Sequence, residues 1–118
     1  MSIHPEHAEK IFAGTKRFEF RKMSPREGVE RVVVYVTAPT ARVVGEFTIG
    51  RVIVAAPRAL WEQTKPHSGL SKAALLRYFE GRSEGVAIEV ASVRRFRRAK
   101  RIEDYVEDGR APQGFRYV

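Results

Sequence analysis

An α+β fold follows from three features of the 118-residue chain: a small, partly closed β-barrel of five or six strands with two main helices on its flanks. Helix-patterned segments stand among strand-patterned ones without the regular alternation of a parallel α/β sheet. A long strand-like run over 42–55 is interrupted by Gly45 and Gly50, where a bulge or bend would help a small barrel close. Several short runs alternate apolar with charged residues, as half-buried strands do.

The first helix is expected over 5–13. Pro5 suits the first helical position, Glu6 and Glu9 sit in the early turns, Ala8, Ile11 and Phe12 form one face, and Gly14 ends it. Residues 16–22 then alternate, with Phe18 and Phe20 on one side and Arg17, Glu19 and Arg21 on the other. After the polar turn SPREG at 24–28, the β-branched run RVVVYVT at 31–37 reads as a central strand closed by Pro39. The Gly-interrupted strand over 42–55 follows, and Pro57 opens a short helical piece, PRALWEQT.

A second clear helix is expected over 72–80, with Ser71 as N-cap, Leu70 and Leu75 as a hydrophobic staple and Gly81 as the stop. Its wide apolar side, Leu75, Leu76, Tyr78 and Phe79, implies burial. GVAIEVASV at 85–93 alternates into another strand that runs into a basic stretch. A helical turn near IEDYV and a final extended segment, GFRYV, complete the chain. There is no repeat, linker or low-complexity tract, and the length suits one domain over residues 1–118.

Hydrophobic content of 43% beside 31% charged residues is that of a globular protein rather than a disordered tail. The chain has no cysteine, which excludes disulfides and thiolate chemistry and fits a reducing compartment. The opening MSIHPEHAEK carries Glu6 and no apolar run, unlike a secretory signal, and VVVYV and VIVAAP are far short of a bilayer span. A cytoplasmic location and no membrane partner are expected.

Net charge is +8 and unevenly placed: residues 1–50 hold 8 Lys/Arg against 6 Asp/Glu, and residues 51–118 hold 14 against 8. RRFRRAKR at 94–101 holds six basic residues and no acid. Five of them are Arg, the better donor for phosphate, so Arg94, Arg95, Arg97, Arg98, Lys100 and Arg101 are candidates for holding a nucleic-acid backbone. The bland alternative is a solvated strand partly paired with the acidic IEDYVED that follows.

Other chemistry is thinly represented. His4 and His7 share a spacing of three at a helix start, His67 stands apart, and there is no H-E-x-x-H pattern, so no metal is expected and His4 is assigned to helix capping. Trp61 reads as core or near-core, with base stacking as the alternative. There is no phosphate-binding Gly loop, no nucleophile elbow, and no cofactor is expected. In GTKRFEFRK at 14–22, Glu19 and Arg21 share a strand face. They either form cross-strand ion pairs facing solvent or present a donor and acceptor set to a base.

The run SIHPEHAEKIFAGTKRFEFRK resembles the signature of the ASCH domain of the PUA-like superfamily: a strand, a helix, then G-x-K-x-x-E-x-R, here Gly14, Lys16, Glu19 and Arg21. VVVYVTAPTARVVGEF and APQGFRYV resemble later parts of the family, so the resemblance spans nearly the whole chain. It implies a small β-barrel with a cleft beside the first helix, lined by Lys16, Glu19 and Arg21, and an RNA ligand, with DNA as second candidate. Some members are hydrolases, either N4-acetylcytidine amidohydrolases or ribonucleases. In the amidohydrolases a Lys at the G-x-K position, a Thr three residues on and a downstream Glu are catalytic. Lys16 matches the first, Glu19 occupies the Thr position, and Glu62 and Glu80 are candidates for the downstream carboxylate.

Overall fold

The computed structural model describes residues 1–106 and 108–111. The expected C-terminal segment GFRYV lies outside them. The elements run β1 (Ser2–Ile3), α1 (Pro5–Ala13), β2 (Phe18–Arg21), β3 (Arg31–Val36), β4 (Arg42–Ala55), α2 (Pro57–Thr64), α3 (Lys72–Tyr78) and β5 (Gly85–Lys100). The described strands form one mixed five-stranded sheet in the order β1-β3-β4-β5-β2, with β1 parallel to β3 and every other pair antiparallel.

Local chemistry fixes the helices. Pro5 opens α1 and Gly14 closes it in the left-handed region at φ 86°, where its N–H reaches the Ile11 carbonyl. His4 is the N-cap, but its side chain caps nothing; its Nδ1 lies 3.3 Å from Thr37 Oγ1. Ser71 Oγ accepts the Ala74 N–H at 3.1 Å and starts α3. Leu75 is fully buried, with Leu70 packed on the same cluster.

The sheet separates two apolar layers. On one side Ile3, Ala8 and Ile11 pack against Val32, Val34, Phe47, Val86, Ile88 and Val90. On the other, Phe18, Phe20 and Ala87 pack against Leu60, Leu75 and Phe79 from α2 and α3, with Trp61 half-buried at the margin. The alternation of β5 explains the division: Val86, Ile88 and Val90 face α1, and Ala87 faces α2 and α3.

Closure goes less far than the sequence suggests. The described strands make an open sheet with β1 and β2 at its edges, and no ladder joins them. A side chain spans the gap instead: Arg21 on β2 donates from Nη2 to the Ser2 carbonyl of β1 at 2.8 Å. β5 is also longer than the expected 85–93 strand and carries the basic stretch as far as Lys100. Among the described residues no helix is long and apolar enough to cross a membrane.

Gly45 and Gly50 lie at breaks in the β4–β5 register, as the bend reading requires. A Cβ on Gly45 would meet the Arg94 carbonyl oxygen at 2.5 Å and the Phe12 ring at 2.7 Å. The backbone oxygen cannot move without disturbing the ladder. Gly45→Ala is therefore expected to destabilise the fold by about 2 kcal/mol, read as a lower urea midpoint at unchanged slope. An unaltered midpoint would show that the approach is not tight.

Candidate functional site

Local turns direct the motif residues inward. Thr15 and Lys16 each donate their N–H to the Lys10 carbonyl at 3.1 Å, wrapping the end of α1, and Arg17 N–H donates to the His67 carbonyl at 2.8 Å. The turn sends the Lys16 side chain into the protein, where only 1% of the residue remains exposed. Its stem lies so close to Gly69, at φ +72°, that a Cβ there would sit 2.7 Å from Lys16 Cγ and Cδ. The ammonium donates to the Ser68 carbonyl at 2.6 Å, lies 3.7 Å from Glu19 Oε1 and is 4.9 Å from the centre of the Phe20 ring.

Glu19 and Arg21 complete a chain of charge. Glu19 is 7% exposed, and its Oε2 accepts from Arg21 Nη2 at 2.7 Å. That same nitrogen holds the Ser2 carbonyl, so one guanidinium fixes both the carboxylate and the neighbouring strand. The expectation that alternation would leave this strand face in solvent is corrected here, because Glu19 is paired opposite Ile88 and looks toward the α1 layer. Ion pairing and hydrogen bonds make the burial tolerable.

A cavity of about 560 Å³ opens over these three residues, a size that suits a nucleoside-scale ligand. Ser2, His4 and His7 line one side, and Leu70, Ala74 and Tyr78 another. Two buried polar atoms at this locus have no hydrogen-bond partner: His7 Nδ1 and Arg21 Nε. Such orphans are costly unless a ligand or water satisfies them.

Burial sets the protonation of the floor. Desolvation, helped by Lys10 and Arg21, lowers the Lys16 ammonium from its usual 10.5 to about 8, although Glu19 opposes the change. Desolvation outweighs the pull of Glu19. His7 is lowered from its usual 6.5, first by burial and then by Lys16, with Glu19 and Glu6 pulling the other way.

The other expected residues lie elsewhere. Arg94, Arg95, Arg97, Arg98, Lys100 and Arg101 are exposed along and just beyond the far half of β5. Arg94 lies 3.8 Å from Glu46, and Arg101 lies 3.3 Å from Glu103. Among the described residues no carboxylate forms an ion pair with Arg95, Arg97, Arg98 or Lys100. α1 ties the two regions together, since His7 lines the cavity and the Phe12 ring lies 4.8 Å from the Arg95 guanidinium carbon. Glu62 is exposed and pairs with Lys65 at 3.0 Å, and neither it nor Glu80 lines the cavity. His67 stays in the turn after α2, away from His4 and His7. Sequence reasoning missed Ser2 and Tyr78 and read Tyr78 as core; the spacing of His4 and His7 was the one available signal.

Comparison with known proteins identifies the family and the fold. The profile of the ASCH domain matches residues 1–99. The ASCH protein of Zymomonas mobilis superposes with a TM-score of 0.91 at 24% identity, covering 100% of this chain and 85% of that one. A single-site variant of the same protein gives 0.91 at 23% identity, covering 100% of this chain and 87% of its own. In Ureaplasma parvum serovar 3, the protein named large ribosomal subunit protein uL22 is 33% identical, and the one named ATP synthase subunit alpha is 32% identical, each over 119 residues. All of this chain is covered in both, but it spans only 38% of the first and 15% of the second.

The Lys16 environment has a measurable consequence. An unfolded chain keeps the lysine proton up to about 10.5, whereas the fold releases it at about 8, so stability rises with pH between these values. Below that window the lysine is charged in both states and its burial penalty is fully present. Urea unfolding across pH 7.5–10.5 is expected to show wild type gaining on the order of 3 kcal/mol relative to Lys16→Met. Parallel pH profiles for the two proteins would contradict the assignment.

Proposed function

The chain belongs to the ASCH domain family, and from that premise we propose that it is a cytoplasmic nucleic-acid-binding module, for RNA first and DNA second. Its fold is that of a PUA-like module, a kind generally associated with RNA. The reading divides the work. Lys16, Glu19 and Arg21 discriminate a base or nucleotide in the cleft, and Arg94, Arg95, Arg97, Arg98, Lys100 and Arg101 hold the phosphate backbone.

The observation that carries this reading is the cavity floor: three charged side chains held by one another, with Arg21 Nε and His7 Nδ1 unsatisfied beside them. A rigid set of donors and acceptors recognises the edge of a planar polar ligand without reorganising first. The exposed cations of β5 supply what the cleft lacks, a sequence-independent attraction for phosphate. The Ureaplasma relatives support a portable module, since similar segments occur within proteins of dissimilar name. Their tasks are not carried over.

A second reading is favoured by one observation, the lowering of Lys16 to about 8. A lysine that is partly neutral near physiological pH is able to act as a base. In an N4-acylcytidine amidohydrolase-like reaction the free amine would take a proton from the attacking water. The C–N bond would then break, and that proton would pass to the departing amine. A ribonuclease would use the same base on a ribose hydroxyl.

Two measurements separate these readings. By anisotropy titration of labelled RNA at several salt concentrations, the Arg97→Ala/Arg98→Ala double variant is expected to weaken all ligands alike and to flatten the salt slope by about 1.4 if both contact single-stranded phosphates. Glu19→Gln is expected instead to change the order of preference among ligands. Uniform effects from both variants would refute the division of work. For the hydrolase reading, incubation with acylated cytidines and with RNA should give products that disappear with Lys16→Ala; no product from wild type leaves binding as the activity.

A further inference from the structure

The basic stretch is more than a row of charges, because β5 departs from its neighbour there. Gly45 is paired with Arg95 and Val43 with Lys100, so β4 advances two residues while β5 advances five. Phe96, Arg97, Arg98 and Ala99 therefore have no residue paired with them on β4. A bulge of this kind re-aims side chains that a regular ladder would hold in alternation. It turns part of a strand into a presenting surface.

Phe96 stands at the start of that surface. It is half-exposed between exposed neighbours, so the core does not account for it. The Arg94 guanidinium carbon lies 5.4 Å from its ring centre and the Lys100 ammonium 4.6 Å, and Lys100 is also 5.9 Å from the Tyr105 ring. These cations rest on an aromatic surface, an arrangement each ring stabilises. Phe96, Arg94 and Lys100 line a shallow recess of about 470 Å³, with Arg95, Arg97 and Arg98 around it.

A site that grips only the phosphates of a duplex has use for cations and none for a half-exposed phenylalanine. Single strands offer unstacked bases, and a basic groove with an aromatic platform is the arrangement that captures them. We propose that the Phe96 bulge is a stacking subsite for one base of a single-stranded nucleic acid, separate from the cavity over Lys16. A base that stacks on the ring displaces Arg94 or Lys100 from it, and the freed cation remains next to that nucleotide's phosphate. The inference rests on the nucleic-acid reading above and sharpens it to a ligand class.

The test compares a single-stranded RNA with a hairpin duplex of equal phosphate number, at matched salt, on the full chain. Wild type is expected to bind the single strand more tightly. Phe96→Leu is expected to weaken the single strand about ten-fold or more while leaving the duplex within two-fold, and Phe96→Trp is expected to keep single-strand binding. A second readout does not depend on the leucine variant folding: single-stranded RNA should quench the fluorescence of Phe96→Trp beyond any change seen from Trp61 in wild type. Equal binding of both RNAs, an equal loss of both in Phe96→Leu, or no added quenching would overturn the subsite while salt-sensitive binding keeps the broader reading. Absence of any RNA binding by wild type would remove both.

Discussion

The structure turns on the buried chain from Lys16 through Glu19 and Arg21 to the Ser2 carbonyl. Burying charges costs several kcal/mol each unless the geometry returns most of it; here Lys16 lies 3.7 Å from Glu19, and Arg21 is hydrogen-bonded to both Glu19 and Ser2. Four segments meet on it: strand β1, the turn after α1, strand β2 and, from far along the chain, the loop before α3. Removing one member would leave its partner charged and largely out of bulk water. The same chain takes the place of the missing ladder between β1 and β2, so the sheet stays open where the cavity forms.

That arrangement explains why the cavity is polar at its floor and apolar along one wall. The α1 layer brings His4 and His7, while the other layer brings Leu70, Ala74 and Tyr78, and the open sheet edge is where the two layers come into common view. A closed barrel would have filled this space with side chains. The nitrogens Arg21 Nε and His7 Nδ1, buried without a hydrogen-bond partner, lie at the same open edge. The cations of β5 face solvent in a different part of the sheet, apart from the cavity.

Local signals in the chain were reliable wherever one residue determines one conformation. Pro5 and Gly14 bounded α1, Ser71 capped α3, and Gly45 and Gly50 marked the register breaks, because each depends on a dihedral or a hydrogen bond within a few residues. Lys16 and Glu19 were legible as motif residues but not as buried ones. Alternation states which residues share a face and not which face is covered, and β2 turned out to be covered on both. Tyr78 and Ser2 gave no signal, since nothing within their own segments says that they meet.

The sequence by itself determined the α+β class, the order of the elements from α1 onward and the identity of the charged residues, because these follow from short-range periodicity, turn chemistry and composition. Tertiary structure alone decided that Lys16 loses its water, that Arg21 bridges two strands, and that β5 bulges to present Phe96, Arg97 and Arg98. The reason is physical. Desolvation and ladder register depend on which distant segment packs alongside, so the titration of Lys16 belongs to the assembled cavity and not to the nonapeptide that contains it.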